Sequence, residues 1–172
     1  MKKPLITIAT VTYNAAPLIA GTLRNIRAQS WPQVEELIID GASTDRTVAI
    51  ARKELPWARI ISGKDRGIYD AMNKALDHAQ GEWIIFINAG DYLHSVDALT
   101  EVFSGKEWRK ADVIYGGTVV RNYDTGYEAL VPAPPVSRLW KISNFMHQSV
   151  FMRTKLARSL RFDESYRISA DS

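Results

Sequence analysis

The 172 residues include 22 basic and 19 acidic side chains, and the resulting net charge of +3 neither requires nor excludes an anionic partner. There is no cysteine, which excludes disulfides and thiolate metal sites, and 46% of the residues are apolar, as in ordinary globular proteins. The apolar stretch that follows Lys2 and Lys3 is too short for a signal-peptide core or a membrane span. The length predicts one soluble globular domain, at most peripheral to a membrane.

Strand and helix patterns alternate through the first hundred residues. Strands are predicted at residues 5–11, 37–40, 59–62 and 83–87, and the last of these is continuously apolar, which is typical of a strand covered on both faces. Helices are predicted from Pro17, with an apolar face of Ile19, Leu23 and Ile26, from Ser43 to about Glu54, from Ile68 to near Gly81, and after Ser95. Repeated βαβ units predict a doubly wound, mostly parallel sheet flanked by helices.

The pattern changes after Asp112. Short strands are predicted at residues 113–115, 118–123 and 127–131, with a hairpin turn at Asp124-Thr-Gly126. We therefore predict an α/β region over residues 1–111 and a smaller region with antiparallel strands over 112–172, within one continuous domain.

Polar or acidic residues follow each of the first four predicted strands. They are Thr12, Tyr13 and Asn14 after the first strand, Asp40 and Asp45 after the second, Asp65 and Arg66 after the third, and Asn88 to Asp91 after the fourth. Ligands of open parallel sheets bind beyond the carboxyl ends of the strands, so these side chains mark the expected site. The first strand is not followed by a P-loop or a glycine fingerprint, which argues against a mononucleotide kinase or a nicotinamide enzyme. Carboxylates without glycine-rich loops favour Mg²⁺ or Mn²⁺ bound to a diphosphate.

Four sequence blocks, taken in order, carry a family resemblance. They are Thr12-Tyr13-Asn14, IDGASTD at 39–45, DRGIYDAMNK at 65–74 and NAGD at 88–91. Together they resemble the family 2 glycosyltransferases with a GT-A fold, in particular the bacterial exopolysaccharide, colanic-acid and O-antigen branch, and the likeness covers essentially the whole chain. The resemblance implies a GT-A (Rossmann-like) sheet in which residues 1–111 bind a nucleotide-sugar and residues 112–172 lie on the acceptor side.

The resemblance also implies roles for individual residues. The predicted nucleotide-binding set is Thr12, Tyr13, Asn14, Asp40, Asp65 and Asn73, while Asp91 would hold Mg²⁺ or Mn²⁺ on the donor diphosphate. Asp171, in Ile168-Ser-Ala-Asp171, would be the general base that takes the proton from the acceptor hydroxyl in a single inverting displacement. His147 and Gln148 would lie on the acceptor or metal side of the site, and Asp45 would brace the turn after the second strand.

Structural roles remain open for several of these residues. Asp40, Asp45 and Asp65 are also typical turn or helix-cap residues, and Lys74 is typical of a solvated helix position. A single histidine such as His147 often has a structural role, and core packing is expected of Trp140 and Phe145. Asp91 is harder to explain structurally, because a carboxylate at the end of a buried strand should be paired, capped or metal-bound.

The sequence departs from the family pattern at two points. Many relatives carry two adjacent acids where this chain has Gly90-Asp91, so we expect one protein carboxylate on the cation and weak metal binding without the nucleotide. Relatives normally continue well beyond the segment of Asp171, whereas this chain ends at Ser172. The second departure predicts a C-terminally truncated chain that retains the donor site and lacks part of the acceptor site.

The expected partners follow from the resemblance. They are a nucleoside-diphosphate-sugar donor, with a UDP-sugar favoured, and a saccharide or polyprenyl-linked acceptor at the cytoplasmic face of the membrane. Peripheral membrane contact and a homodimer are compatible with it, and nucleic acid is not an expected partner, because the basic residues are dispersed rather than clustered beside aromatics. One alternative is a non-catalytic nucleotide-sugar-binding subunit. Another is a sugar nucleotidylyltransferase, but those enzymes usually have a Gly-rich, Arg-containing loop after the first strand, and this chain has none there.

Overall fold

The computed structural model describes residues 5–122, 124–138 and 146–166. Its strands are β1 (Ile6–Thr12), β2 (Val34–Asp40), β3 (Arg59–Ser62), β4 (Trp83–Phe86), β5 (Val113–Tyr115), β6 (Thr118–Arg121), β7 (Glu128–Val131) and β8 (Val150–Arg153). Its α-helices are α1 (Ile19–Arg27), α2 (Thr47–Glu54), α3 (Ile68–His78), α4 (Ala98–Phe103) and α5 (Thr154–Leu160), with short 3-10 turns at Glu107–Lys110, Val136–Arg138 and His147–Ser149.

Six of these strands form one mostly parallel sheet in the order β3-β2-β1-β4-β8-β5. Strands β1 to β4 run parallel to one another, whereas β8 is inserted antiparallel between β4 and β5. Strands β6 and β7 form a separate antiparallel pair. The predicted α/β sheet with a smaller antiparallel portion is confirmed. The strand order reverses between β1 and β4, which is where sheets of this type open a crevice for a ligand.

Helices cover both faces of the sheet because the side chains of β1, β2 and β4 alternate between two apolar clusters. Ile6 and Ile8 of β1 belong to the cluster that contains the buried residues of α1 and α4. Ala9 and Val11 of the same strand belong to the cluster that contains the buried residues of α3 and Ala157 of α5. All four residues of β4 are buried, as its continuous apolar run predicts.

Most element boundaries differ from the sequence prediction by a few residues, and hydrogen bonds account for two of the shifts. Strand β2 begins at Val34, three residues earlier than predicted, because the carboxylate of Glu35 is held by the hydroxyl of Thr7 and the backbone N–H of Gln80. Helix α2 begins at Thr47 rather than after Ser43, because the Ser43 hydroxyl instead accepts a hydrogen bond from the backbone N–H of Asn14, at 2.8 Å.

The region after Asp112 is joined to the main sheet through β5 and β8. The hairpin between β6 and β7 turns at the predicted place, where the Asn122 side-chain oxygen accepts the backbone N–H groups of Asp124 and Thr125. The division at residue 112 into two functional regions stays a prediction. Within the described ranges, no helix is both long enough and apolar enough to cross a membrane.

Candidate functional site

A cleft of about 660 Å³ opens at the carboxyl ends of β1 and β4. It lies where the sheet order reverses, so the position agrees with the general rule for open α/β sheets. Of the predicted nucleotide-binding residues, Thr12, Tyr13, Asn14 and Asp65 line this cleft together. The remaining lining residues are mostly apolar: Val11, Ala15, Pro17, Leu18, Gly67, Ile68, Ala71, Asn88 and Ala89.

Asp40 ends β2 beside the cleft, opposite Thr12 of β1 in the sheet register, and it is fully buried. Its Oδ2 accepts hydrogen bonds from the Ser43 backbone N–H, at 3.1 Å, and from the Ser62 hydroxyl, at 2.6 Å. Its Oδ1 is buried and has no hydrogen-bond donor among the described residues. An unpaired buried carboxylate oxygen is costly, but Asp40 does not itself line the cleft, so a ligand could reach this oxygen only after the surrounding side chains move.

Gly41 leaves room for the side chains of Asp65 and Tyr13 next to its own backbone. A Cβ atom at Gly41 would lie 2.5 Å from Asp65 Oδ2 and 3.4 Å from Tyr13 Cδ2, so any other residue would displace the Asp65 carboxylate. Tyr13 keeps 63% of its surface exposed, and its ring is therefore available to stack on a flat ligand. The hydroxyl of Thr12 is buried and, in the described chain, also has no partner.

Asn14 and Asp45 hold the loops after β1 and β2 together. The Asn14 side-chain oxygen accepts the Thr44 backbone N–H at 2.9 Å, and the residue adopts a φ of +47°, which asparagine tolerates well. Asp45 accepts the backbone N–H groups of Ala16 and Thr47. The hydrogen bond from the Thr47 hydroxyl holds the pKa of Asp45 below its ordinary value. The structure thus gives Asp45 the expected bracing role.

Asn73 lies on α3 and does not line the cleft. Its amide group donates to the Phe162 carbonyl at 2.9 Å and to Glu164 Oε1 at 3.1 Å, and its oxygen accepts the Phe162 backbone N–H at 2.9 Å. With both ends of the amide engaged, Asn73 braces the 162–164 segment rather than offering free groups to a ligand. The neighbouring Lys74 pairs with Asp70 at 2.9 Å and donates to the Lys64 carbonyl at 2.8 Å.

The Asp91 turn, residues 88–93, follows β4 and contacts two residues from the other half of the chain. Gln148 Nε2 donates to Asp91 Oδ2 at 3.0 Å. Asn88 Nδ2 lies 3.0 Å from His147 Nε2, and because an amide NH₂ group only donates, the imidazole nitrogen accepts this hydrogen bond. The structure therefore places His147 and Gln148 beside the predicted metal ligand.

Helix α1 anchors the same turn from the opposite side. The Thr22 hydroxyl accepts the Gly90 backbone N–H at 2.9 Å, and Asn25 exchanges two hydrogen bonds with the backbone of Leu93, at 2.8 and 3.0 Å. Sequence reasoning missed Thr22 and Asn25. The sequence signal that could have indicated them is their spacing, because two polar residues three apart lie next to the apolar face of an amphipathic helix.

Gly90 has a φ of +104°, a backbone conformation that other residues rarely adopt. An acidic residue at this position would be strained in the present turn. The backbone of this turn therefore suits the glycine that the sequence has at position 90.

The Asp91 turn fits a hard divalent cation that arrives together with a diphosphate. Carboxylate oxygen is the ligand that Mg²⁺ and Mn²⁺ prefer, and Asp91 provides one such group two residues after Ala89, which lines the cleft. Within the described residues there is no group of three or more Asp, Glu or His side chains that could bind a metal unaided. Oxygens of the nucleotide and water would have to complete the coordination.

Several predicted residues lie outside the described ranges. They include Asp171, the predicted general base, and Trp140 and Phe145. Tyr166 is the last residue before Asp171 in the sequence that the structure describes. There, Glu164, Ser165 and Tyr166 border a second cavity of about 450 Å³, together with residues 66–70.

Residues 7–169 match the family described as Glycosyl transferase family 2. The chain belongs to this family. Over 178 aligned positions it is 33% identical to a PGL/p-HBAD biosynthesis glycosyltransferase of Mycobacterium tuberculosis, an alignment that covers 99% of this chain and 68% of the relative. A putative teichuronic acid biosynthesis glycosyltransferase of Bacillus subtilis, TuaG, is 37% identical over 93 residues, which are 52% of this chain and 37% of the relative.

Solved structures share the fold of this family member. S. aureus TarS 1-349 in complex with UDP superposes with a TM-score of 0.73 at 20% identity, over 97% of this chain and 52% of TarS. The mannosyltransferase PcManGT from Pyrobaculum calidifontis, in complex with GDP-Man and Mn²⁺, superposes with a TM-score of 0.69 at 23% identity. This superposition covers 95% of this chain and 49% of PcManGT. The chain thus spans about half the length of these proteins, and the expected GT-A fold is confirmed.

Proposed function

We propose that this glycosyl transferase family 2 chain binds a nucleoside-diphosphate-sugar, with a UDP-sugar favoured, and transfers the sugar with inversion. The acceptor we propose is a saccharide or a lipid-linked saccharide in cell-surface polysaccharide synthesis, at the cytoplasmic face of the membrane. The exopolysaccharide-like branch inferred from the four sequence blocks supports this acceptor class. So does the name of TuaG, which refers to teichuronic acid biosynthesis.

The donor assignment rests mainly on one observation, the cleft that Thr12, Tyr13 and Asp65 line together; Asp40, with its unpartnered Oδ1, pairs with Thr12 in the sheet register. Uracil presents a flat face and an N–H group, so the Tyr13 ring can stack on the base while Asp40 accepts its hydrogen bond. Asp65, which lines the same cleft, is proposed to contact the base or the ribose. The UDP complex of TarS and the GDP-Man complex of PcManGT are consistent with a nucleotide in this fold, and do not select the base.

The remaining residues are proposed to bind the metal, to brace the loops or to transfer a proton. Asp91 would hold Mg²⁺ or Mn²⁺, which when bound supplies positive charge to the leaving diphosphate. The loops braced by Asn14 and Asp45 keep the base pocket in shape. Asp171 is proposed to take the proton of the acceptor hydroxyl as that oxygen attacks the anomeric carbon.

The first test is the metal dependence of nucleotide binding. Calorimetry of UDP with the wild-type chain should show binding with Mn²⁺ present and weak or no binding after chelation, because one carboxylate requires the diphosphate to complete the site. The Asp91→Asn variant should lose this dependence on Mn²⁺. Asp124→Asn, in the exposed hairpin turn, is a matched control and should behave like the wild type. Equal affinity with and without metal would contradict the proposed site.

A second measurement separates an enzyme from a binding subunit. A competent transferase should release UDP slowly from a UDP-sugar in water, with the rate depending on Mn²⁺. Binding of UDP-sugar without any such turnover would favour the non-catalytic alternative.

A further inference from the structure

We propose that Gln148 is a positioning residue that orients the Asp91 carboxylate toward the cation, which extends the proposed function and rests on it. The Gln148 side chain lies 3.0 Å from Asp91 Oδ2. An ionised carboxylate only accepts hydrogen bonds, so the amide atom that faces it must be the NH₂ group. This contact holds Oδ2 and leaves Oδ1 as the oxygen available for a cation.

The need for such an orienting contact follows from Gly90. Its φ of +104° disfavours a second carboxylate in the turn, so the cation depends on the alignment of one side chain. Hydrogen bonds to a metal ligand typically change metal affinity by about 10–100-fold, because they fix the ligand before the metal arrives. Gln148 donates such a bond from an element that follows Asp91 by more than fifty residues.

The position of Gln148 is itself fixed by the sheet. Residues 147–149 form a 3-10 turn that leads directly into β8, and β8 pairs antiparallel with β4, the strand that precedes Asp91. The adjacent contact between His147 and Asn88 joins the 147–149 turn to the end of β4 a second time. Two neighbouring side-chain contacts therefore hold Gln148 against the Asp91 turn.

Two buried acceptor oxygens belong to side chains of the Asp91 turn and of the residue that contacts it. Gln148 Oε1 and Asn88 Oδ1 are buried, and neither has a hydrogen-bond donor in the described parts of the chain. Water molecules bound to a hydrated Mg²⁺ or Mn²⁺ would be donors of the required type, since these cations usually keep several waters. The pair of unsatisfied acceptors is thus consistent with a hydrated cation beside Asp91.

The test measures Mn²⁺ binding directly, by electron paramagnetic resonance of free Mn²⁺ during titration of the chain in the presence of UDP. Gln148→Met keeps the length of the side chain and removes the donor, and Gln148→Ala removes both. Each is expected to weaken Mn²⁺ binding about 10–100-fold, while the thermal unfolding midpoint shows that the chain is still folded. Gln80→Ala, which truncates an exposed glutamine, is the matched control and should bind Mn²⁺ as the wild type does.

The outcomes separate this inference from the proposed function. If Asp91→Asn abolishes Mn²⁺ binding and a folded Gln148→Met variant binds Mn²⁺ within twofold of the wild type, Gln148 has no positioning role and the proposed function is unaffected. If the wild-type chain itself binds no Mn²⁺ with UDP, the proposed donor site and the role of Gln148 are both overturned. A 10–100-fold loss in both folded Gln148 variants, with an unchanged Gln80→Ala control, supports the inference.

Discussion

Asp40 and Asn73 show how hydrogen-bond saturation distinguishes a candidate ligand contact from a structural brace. Both side chains are almost fully buried. Asn73 uses its oxygen and its NH₂ group on Phe162 and Glu164, whereas Asp40 leaves Oδ1 without a donor. Buried polar atoms are normally paired, so the unpaired oxygen of Asp40 is the better candidate for a ligand contact.

We predict that Asp40→Asn weakens UDP binding by at least about tenfold, the equivalent of 1.4 kcal/mol. The amide has one acceptor oxygen in place of two, and the donors of Ser43 and Ser62 already require it. The NH₂ group would then face the N–H of the base, and two donors that face each other cannot form a hydrogen bond. Calorimetry with UDP and Mn²⁺ measures the change.

The control for this substitution is Asp77→Asn, which removes a carboxylate paired with Arg161 on the surface. Thermal unfolding of both variants shows whether any lost affinity reflects lost folding. A folded Asp40→Asn variant with wild-type affinity for UDP would exclude Asp40 from the base contact.

At the scale of elements, the Asp91 turn is held between α1 and the 147–149 turn. Thr22 and Asn25 bind the backbone of the turn from α1, and Gln148 binds the Asp91 side chain from the other side. Helix α1 follows the strand next to β4, so the reversal of strand order brings its side chains to this turn. The backbone geometry of the turn is thereby fixed independently of any ligand.

We predict that Gly90→Ala lowers both the stability of the chain and its affinity for Mn²⁺ with UDP. A side chain at φ +104° costs about 1–3 kcal/mol, or the turn must change its backbone and move Asp91. Thermal unfolding and the Mn²⁺ titration measure the two effects.

Gly63→Ala is the matched control, because a Cβ at Gly63 meets no atom within 4 Å and its backbone lies outside the left-handed region. It should leave Mn²⁺ binding unchanged. Unaltered stability and Mn²⁺ binding in Gly90→Ala would show that the turn does not need glycine.

At the scale of the whole molecule, a charged cluster joins the loop after β3 and α3 to the chain beyond α5. Arg66 contacts Asp70 at 3.1 Å and Glu164 at 2.5 Å, and Lys74 contacts Asp70 at 2.9 Å. Burial disfavours the ionised form of Asp70, but the hydrogen bonds from Lys74 and Arg66 outweigh it and lower its pKa to about 2. The cluster connects residues on either side of the second cavity.

The lowered pKa of Asp70 predicts a loss of stability in acid. The contribution is complete above the unfolded-state pKa of about 4 and is lost as the pH falls through the folded-state value near 2. We expect roughly 1–2 kcal/mol, reduced by solvent screening because Arg66 is largely exposed. Urea unfolding at pH 6, 4 and 2 measures it.

Asp70→Asn should flatten this part of the pH profile and lower stability at pH 6. Asp124→Asn, at an exposed aspartate of the hairpin turn, serves as the control and should keep the wild-type profile. An Asp70→Asn profile parallel to that of the wild type between pH 4 and pH 2 would contradict the assignment.

The sequence by itself determined the parallel core and the row of polar residues at its edge. The continuous apolar run of β4, the helical spacing of Ile19, Leu23 and Ile26, and the polar residues after each strand are local patterns, so they could be interpreted without knowing distant contacts. The cleft lined by Tyr13 and Asp65 lies where those patterns predict it.

Only the tertiary structure decided which polar residues brace the chain and which remain unpaired. Strand β8 is inserted antiparallel next to β4, and this insertion brings Gln148 to Asp91 across 57 residues of sequence. Asn73 meets Phe162 across 89 residues, and Asn25 meets Leu93 across 68. Local propensity and periodicity contain no information about such long-range partners, because hydrogen-bond saturation depends on the side chains that folding places opposite each group.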